Sequence, residues 1–245
     1  MKNKIIALLV IVVSMGCVVF HIDFSTPWRR YSIFSLKTDK ERFTKIYDIV
    51  YWGNKNHTSG WGSVRKNAIP YLEYLQNFID TKEGIKTIVD LGCGNWELMQ
   101  HINIPQHINY LGVDIVDSVI EDNIKKYSKE NIKFESVNDV AELKKYKADL
   151  LIIKDVMLCW DNKTIQYFIK EILPNFKYAI LVNYYDPNQE NRDIDTGDLR
   201  PLNLEAAPFF MKLEHVKDYP VIRSTKRIYL YKKPLHKGTF SKLAL

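Results

Sequence analysis

The chain is poor in cysteine. Its 245 residues hold three, Cys17, Cys93 and Cys159, far apart and with no CxxC pair. That spacing excludes a disulfide framework and a cysteine-built zinc site, and no metal is expected. Blocks of like charge are missing too. The 35 Lys and Arg stand against 29 Asp and Glu, and the net charge of +6 is spread along the chain. Mild basicity of this kind suits an anionic membrane surface as well as a nucleic acid and decides nothing alone. Internal repeats and low-complexity tracts are absent, which removes solenoids and arrays. No basic stretch is interleaved with aromatics, so no nucleic-acid partner is expected. A long hydrophobic run is lacking as well: the uncharged segment Ile5–Phe20, drawn as a helix, reaches roughly 24 Å against a bilayer core of about 30 Å.

What that segment does have is the length of a signal sequence or signal anchor, preceded by Lys2 and Lys4 and followed by Arg29 and Arg30. Charges on both sides leave its orientation open. Val13-Ser14-Met15-Gly16-Cys17 loosely matches a lipoprotein cleavage box, with Ser14 where Leu is favoured. The reading is a single N-terminal membrane anchor through residues 5–20, with a buried core helix as its alternative.

With 46% hydrophobic and 13% aromatic residues, the rest can bury one good core. The expected division is residues 1–27 as anchor or signal, 28–84 as N-terminal helices and a loop, 85–233 as the core, and 234–245 as a tail. Phe43, Ile46, Tyr47, Val50 and Tyr51 follow helical spacing after Asp39, and Pro70 opens a second helix burying Leu72, Leu75, Phe78 and Ile79. Then strands and helices alternate. Strands are expected at 86–91, 109–113, 132–137, 149–154 and 178–183, and the clearest helix starts at Asp161. Such alternation with apolar strands predicts an α/β fold: a doubly wound, mostly parallel sheet covered on both faces. Two late strands, 210–216 and 226–231, have too short a link for a crossover helix and are expected to pair antiparallel.

The most informative residues are Val89–Glu97, VDLGCGNWE. A short apolar strand runs into a turn flanked by Gly92 and Gly94 and then, as expected here, into a helix. Gly92, Cys93 and Gly94 let a ligand approach backbone closely. Twenty residues after Gly94, LGVD ends the next strand at Asp114, the separation at which a carboxylate grips a ribose diol. Together they suit an adenosine-type ligand. A dinucleotide fingerprint wants a third glycine where Glu97 stands, and a carboxylate there would face the phosphates. Asp90 suits a cation, such as the amino group of a methionine moiety.

On these motifs the chain resembles the class I S-adenosylmethionine-dependent methyltransferases, whose first motif reads [V/I]-[L/V]-[D/E]-x-G-x-G. The resemblance covers roughly Ile85 to Lys232 and implies a seven-stranded Rossmann-like sheet, S-adenosyl-L-methionine as cofactor and methyl transfer as the activity. It places Asp114 and Ile115 at the ribose, and Asn138 or Asp139 at the adenine amino group. LLIIKDVMLCW (150–160) looks like the fourth motif, which lines both cofactor and acceptor. A stand-alone bacterial and viral subgroup carries KDV-x-x-H-W there, but this chain has Cys159 in place of the histidine, which removes a general base. The subgroup's other patterns are matched by the WG-x(5)-SG-x-GS loop (52–63) and by D-I-x-x-G-x-x-R-P-L from Asp193. The first would be a lid bringing Ser59, Gly60 and Gly62 to the methionine end.

Lys154 and Asp155, charges at the end of a buried strand, face a site or pair with one another. Asp155, Tyr184 and His57 are the candidate proton acceptors, with Lys154 beside them. Arg200, before Pro201, either holds a substrate carboxylate or phosphate or pins its own loop to Asp193 or Asp195. Asn183 and His57 join it as candidate acceptor contacts. The [D/N]-PP-[Y/F] loop that grips flipped adenines is absent, since strand four ends Lys154-Asp155-Val156-Met157. The expected acceptor is a small molecule, lipid, saccharide or protein group near a membrane. The alternatives are a nicotinamide-dependent oxidoreductase and a cofactor-binding membrane protein without transfer. Lys2 and Lys4 favour placement outside the cytoplasm, whereas the supply of cofactor favours a cytoplasmic catalytic face.

Overall fold

The computed structural model describes residues 7–13, 16–22, 25–52, 58–221 and 224–234. The apolar N-terminal run differs from the helix expected of it. β1 (Ala7–Val13) and β2 (Gly16–Ile22) pair antiparallel as a separate two-stranded sheet. Val and Ile make up half of the two segments, seven of fourteen residues, and branching at Cβ restricts side-chain rotation in a helix while suiting a pleated strand. Among the described residues no helix is long and apolar enough to cross a membrane.

Two helices follow, α1 (Ser25–Phe34) and α2 (Asp39–Asp48). From residue type alone, Asp39 is the expected cap of α2. Thr38, not Asp39, is the N-cap, and its hydroxyl accepts from the Glu41 amide while the Glu41 carboxylate accepts from the Thr38 amide. α3 (Ile69–Thr81) has Pro70 in its first turn and buries Tyr71, Leu72, Leu75, Phe78 and Ile79.

The main sheet has seven strands: β3 (Thr87–Leu91), β4 (Asn109–Asp114), β5 (Ile132–Ser136), β6 (Ala148–Lys154), β7 (Phe176–Tyr185), β8 (Glu214–Val221) and β9 (Ser224–Lys232). Their order is β5-β4-β3-β6-β7-β9-β8. β3 to β7 pair parallel, while β9 is antiparallel to both β7 and β8. The alternation of strand residues sends Val89, Leu91, Leu151, Ile153 and Leu181 into one apolar layer and Ile88, Leu150, Ile152, Ile180 and Ile228 into the other. Both faces are therefore covered, as runs of Ile, Leu and Val require of a parallel sheet. The helix α4 (Asp117–Tyr127) links β4 to β5, and α5 (Asn162–Tyr167) follows its N-cap Asp161.

Two local expectations change. β8 begins at Glu214 rather than Phe210, because Phe210 sits in a left-handed conformation (φ 48°) that ends a turn instead of opening a strand. More consequential for ligand binding, no α-helix follows the glycine turn. Trp96 takes φ 56° and buries its indole, and only a single 3-10 turn, Met99–His101, forms before β4.

Candidate functional site

β3, β4, β5 and β6 run parallel, so their C-terminal ends meet along one edge of the sheet, where crevices form in such folds. A cavity of about 130 Å³ opens there. β3 supplies Leu91 and the Gly92-Cys93-Gly94 turn, β4 supplies Asp114 and Ile115, and β5 is followed by Val137 and Asp139. β6 supplies Lys154, Asp155 and Val156. α2 roofs the space with Asp39, Phe43 and Tyr47, and the 52–63 loop closes it with Trp52, Ser59 and Ser63. Small-molecule sites usually measure about 300–1,000 Å³. This space lies below that range.

The Gly92 turn is shaped by contact. Gly92 has φ 72°, and a Cβ on it would overlap the Val156 side chain. Gly94, also left-handed, packs against Ser59 Oγ and Tyr47 Oη. Ser59 Oγ is the hub of the loop: it lies 3.0 Å from Tyr47 Oη, donates to Asn95 Oδ1 and accepts from the Asn95 amide. The turn's amides are largely engaged. Those of Gly92 and Cys93 donate to the Val113 carbonyl, and that of Gly94 to Asp114 Oδ2.

Asp114 is the buried carboxylate of the cavity. Oδ2 accepts from Gly94 N at 3.0 Å and Oδ1 from Val116 N at 3.1 Å. Burial raises its pKa, and the amides of Val116, Gly94 and Ile115 oppose that shift. Two carboxylate oxygens offer about four acceptor sites, so these three amides leave acceptor capacity over.

Asp90 stands elsewhere. It does not line the cavity but lies under the turn, where Oδ2 accepts from Tyr110 Oη at 2.6 Å, and Tyr110 Oη accepts in turn from Trp96 Nε1 at 2.9 Å. Burial pushes its pKa up to about 7, against the Tyr110 hydrogen bond and Lys154. A folded-state pKa raised above the ordinary 3.8 stabilises the fold at low pH and loses that contribution as pH rises. We expect the stability of wild type relative to Asp90→Asn to fall steadily between about pH 4 and 7 and then level off. Chemical denaturation across that range measures it.

Asp155 turns the end of β6 with φ 60°. Its Oδ2 accepts from Lys154 Nζ at 2.5 Å and also from Lys226 Nζ, while Lys154 donates to the Gly62 carbonyl at 2.8 Å. Asp155 Oδ1 has no hydrogen-bond partner among the described residues. Burial pushes the Asp155 pKa up, but the two ammonium groups outweigh it and hold the carboxyl at about 2. Burial brings Lys226 down to about 7, opposed by Asp155. A Cβ on Gly62 would overlap Lys226 Nζ and Asp155 Oδ2. The loop thus rests on the triad by its backbone.

Lys226 was missed in the sequence, although β9 carries a signal for it. Lys226, Ile228 and Leu230 alternate along the strand and all are buried, which puts a lysine on an apolar face.

Several other sequence candidates lie off the cavity. Asn138 is exposed on the rim, accepting from Lys40 and donating to Glu142, and Asp139 lines the cavity instead. Asp139 Oδ1 also caps the following turn through the amides of Ala141 and Glu142. Gly60 packs on Trp52 behind the lining. Tyr184 lines a separate cleft with Tyr185, Asp186 and Ser224, its ring centre 4.6 Å from Lys226 Nζ. Asn183 is buried with neither amide atom partnered among the described residues. Arg200 is buried, and its two terminal nitrogens donate to the Trp160 carbonyl at 2.6 Å and Asn162 Oδ1 at 2.8 Å, while its Nε has no partner among the described residues. It pins the 191–204 insert to the segment after β6, not to Asp193 or Asp195. Cys159 lines the cavity as a buried thiol with a raised pKa, chiefly through burial. His57 lies outside the described residues.

No protein-family model and no curated protein matches the chain. Solved structures do. It is similar to the N-methyltransferase NodS from Bradyrhizobium japonicum WM9, at 9% identity and a TM-score of 0.52 over 69% of this chain and 98% of that one. It is similar to magnesium protoporphyrin IX methyltransferase (ChlM) from Synechocystis PCC 6803 with bound SAH, at 13% identity and 0.50 over 84% and 97%. The DhpI–SAH complex matches at 11% identity and 0.51, over 78% and 96%. The fold is the Rossmann-like methyltransferase fold: seven strands, mostly parallel, with the last pair antiparallel.

Proposed function

We propose that this chain is an S-adenosyl-L-methionine-dependent methyltransferase. The observation that carries the reading is Asp114: a buried carboxylate at the end of the second parallel strand, held by backbone amides and lining the cavity beside the glycine turn. That is the acceptor a ribose diol needs for its two O–H donors. Asp139 at the end of β5 is the polar group nearest in place for an adenine amino group, and the Ser59 loop covers the opposite end. The solved relatives named above include two with bound SAH, which supports the same cofactor here. A nicotinamide dinucleotide fits less well. Its pyrophosphate is stabilised at a helix N-terminus, and no α-helix follows this turn.

A bound sulfonium supplies an activated methyl group, so much of the catalysis reduces to holding an acceptor in line with it. Asp155 offers its free oxygen to an O–H or N–H on the acceptor. Held at about 2 by two lysines, it serves better as an orienting group than as a base.

We place the acceptor, a small molecule, lipid, saccharide or protein group, near a membrane. The support is the uncharged run from Ile5 to Phe20, and cofactor supply favours a cytoplasmic face. Isothermal calorimetry on the full chain in detergent tests the cofactor, with S-adenosylmethionine, S-adenosylhomocysteine and NAD titrated separately. We expect the first two to bind and, at about a hundred times the dissociation constant, to add about 2.7 kcal/mol of stability. Binding of NAD alone sinks the reading.

A further inference from the structure

α1 has two dissimilar faces. On one side, Ile33 is fully buried, and Arg29 donates to the carbonyls of Ile49 and Val50 just past the end of α2. Arg30 stacks over the Phe34 ring and pairs with Asp198 at 3.0 Å. On the other side, Trp28 and Tyr31 are 65% and 68% exposed and touch each other edge to face at 6.1 Å. One turn apart, these rings share a stripe on the helix. Isolated surface aromatics are ordinary, but here a Trp and a Tyr stand together in water on a helix whose inner face is pinned.

We propose that this Trp28–Tyr31 face of α1 is a docking surface for a lipid bilayer. Three observations favour lipid over another occupant. Only seven residues separate Trp28 from Phe20, the last of the sixteen uncharged residues that begin at Ile5. The span is about 25–30 Å even when fully extended, so a membrane holding that run lies within reach of α1. Trp paired with Tyr is the side-chain chemistry of the bilayer interface, where an apolar ring with a polar edge sits at headgroup depth. Finally, α1 carries two arginines and no acid, so nothing on it repels an anionic headgroup layer. The consequence is orientation. α1 lies on α2, and α2 roofs the cavity with Phe43 and Tyr47. Docking through Trp28 and Tyr31 sets the site one helix layer from the lipid surface.

The inference rests on the membrane association in the reading above and is independent of methyl transfer. Its test uses the full chain with vesicles of phosphatidylcholine and phosphatidylglycerol, some carrying bromine near the top of the acyl chains. Wild type is expected to float with the vesicles, and bromolipid to quench its tryptophan emission. Trp28→Phe, an exposed and conservative change, is expected to float and melt like wild type while losing at least half of that quenching. Unchanged quenching in Trp28→Phe overturns the docking face but leaves anchoring intact. Failure of wild type to float overturns both, while the calorimetry with S-adenosylmethionine still stands or falls separately. Lipid-free self-association that disappears in Trp28→Ala assigns the face to a second copy of the chain and also overturns the proposal.

Discussion

Replacing Asp114 with alanine is expected to lower the affinity for S-adenosylmethionine at least about a hundredfold. A carboxylate holding both hydroxyls of a ribose makes two charge-assisted hydrogen bonds, each worth about 1.5–3 kcal/mol, and every 1.4 kcal/mol is tenfold in affinity. The same change strips an acceptor from the Gly94 and Val116 amides, which itself costs about 1–3 kcal/mol for each buried donor. Asp114→Asn separates the two effects. Its amide oxygen keeps one of the backbone bonds, so the protein stays folded by circular dichroism while the loss of affinity persists. If folded Asp114→Asn binds S-adenosylmethionine as tightly as wild type, Asp114 does not hold the ribose.

The second large effect is an asymmetry within the Lys154–Asp155–Lys226 triad. Asp155→Ala leaves two buried lysines facing each other without an anion, and breaking a buried pair from one side costs about 3–5 kcal/mol. Lys226→Met leaves Asp155 still paired with Lys154 and fills the same volume, so its cost is expected to stay below about 1.5 kcal/mol. Urea denaturation of the two variants measures the difference. The pH dependence has a definite sign. A carboxyl held at about 2 rather than 3.8 stabilises the fold above pH 4, and the contribution disappears as pH falls toward 2. The wild-type advantage over Asp155→Ala is therefore expected to shrink across that acid range. Equal costs for the two variants near neutral pH would show that charge does not organise this corner. Because Gly62 rests on the triad through its backbone, loosening in Asp155→Ala is expected to reach the 52–63 loop as well.

How far the sequence reached depends on the range of the forces involved. The parallel strands were legible within a residue or two because their Ile, Leu and Val runs are dictated by burial on both faces. The antiparallel β8–β9 pair followed from a link too short for a crossover. The start of β8 was misplaced by four residues, because a left-handed Phe210 belongs to a turn that the residue type does not announce. The helix expected after Gly94 failed for a similar reason. Burying Trp96 against Tyr110, Tyr127 and Phe134 fixes a backbone conformation that local helical preference cannot override.

Within the site the division is the same. Gly92, Gly94 and Asp114, picked out by their spacing along the chain, all line the cavity. Asp90, which the sequence offers to a ligand's cation, is buried and accepts from Tyr110. Arg200 was left between two roles, and three fixed acceptors make it a structural pin. Lys226, 71 residues beyond Asp155, joined the site only when β9 inserted beside β7.

The sequence by itself determined the layers of this protein, the strand ends at which a site forms, and the turn-and-carboxylate pair that reads as adenosine-binding. These rest on periodicity and short spacings, which act through local geometry. Only the tertiary structure decided which charges face the cavity and which face one another. Burial and pairing are properties of side chains brought together from distant segments, and their cost is set when water is removed from all of them at once.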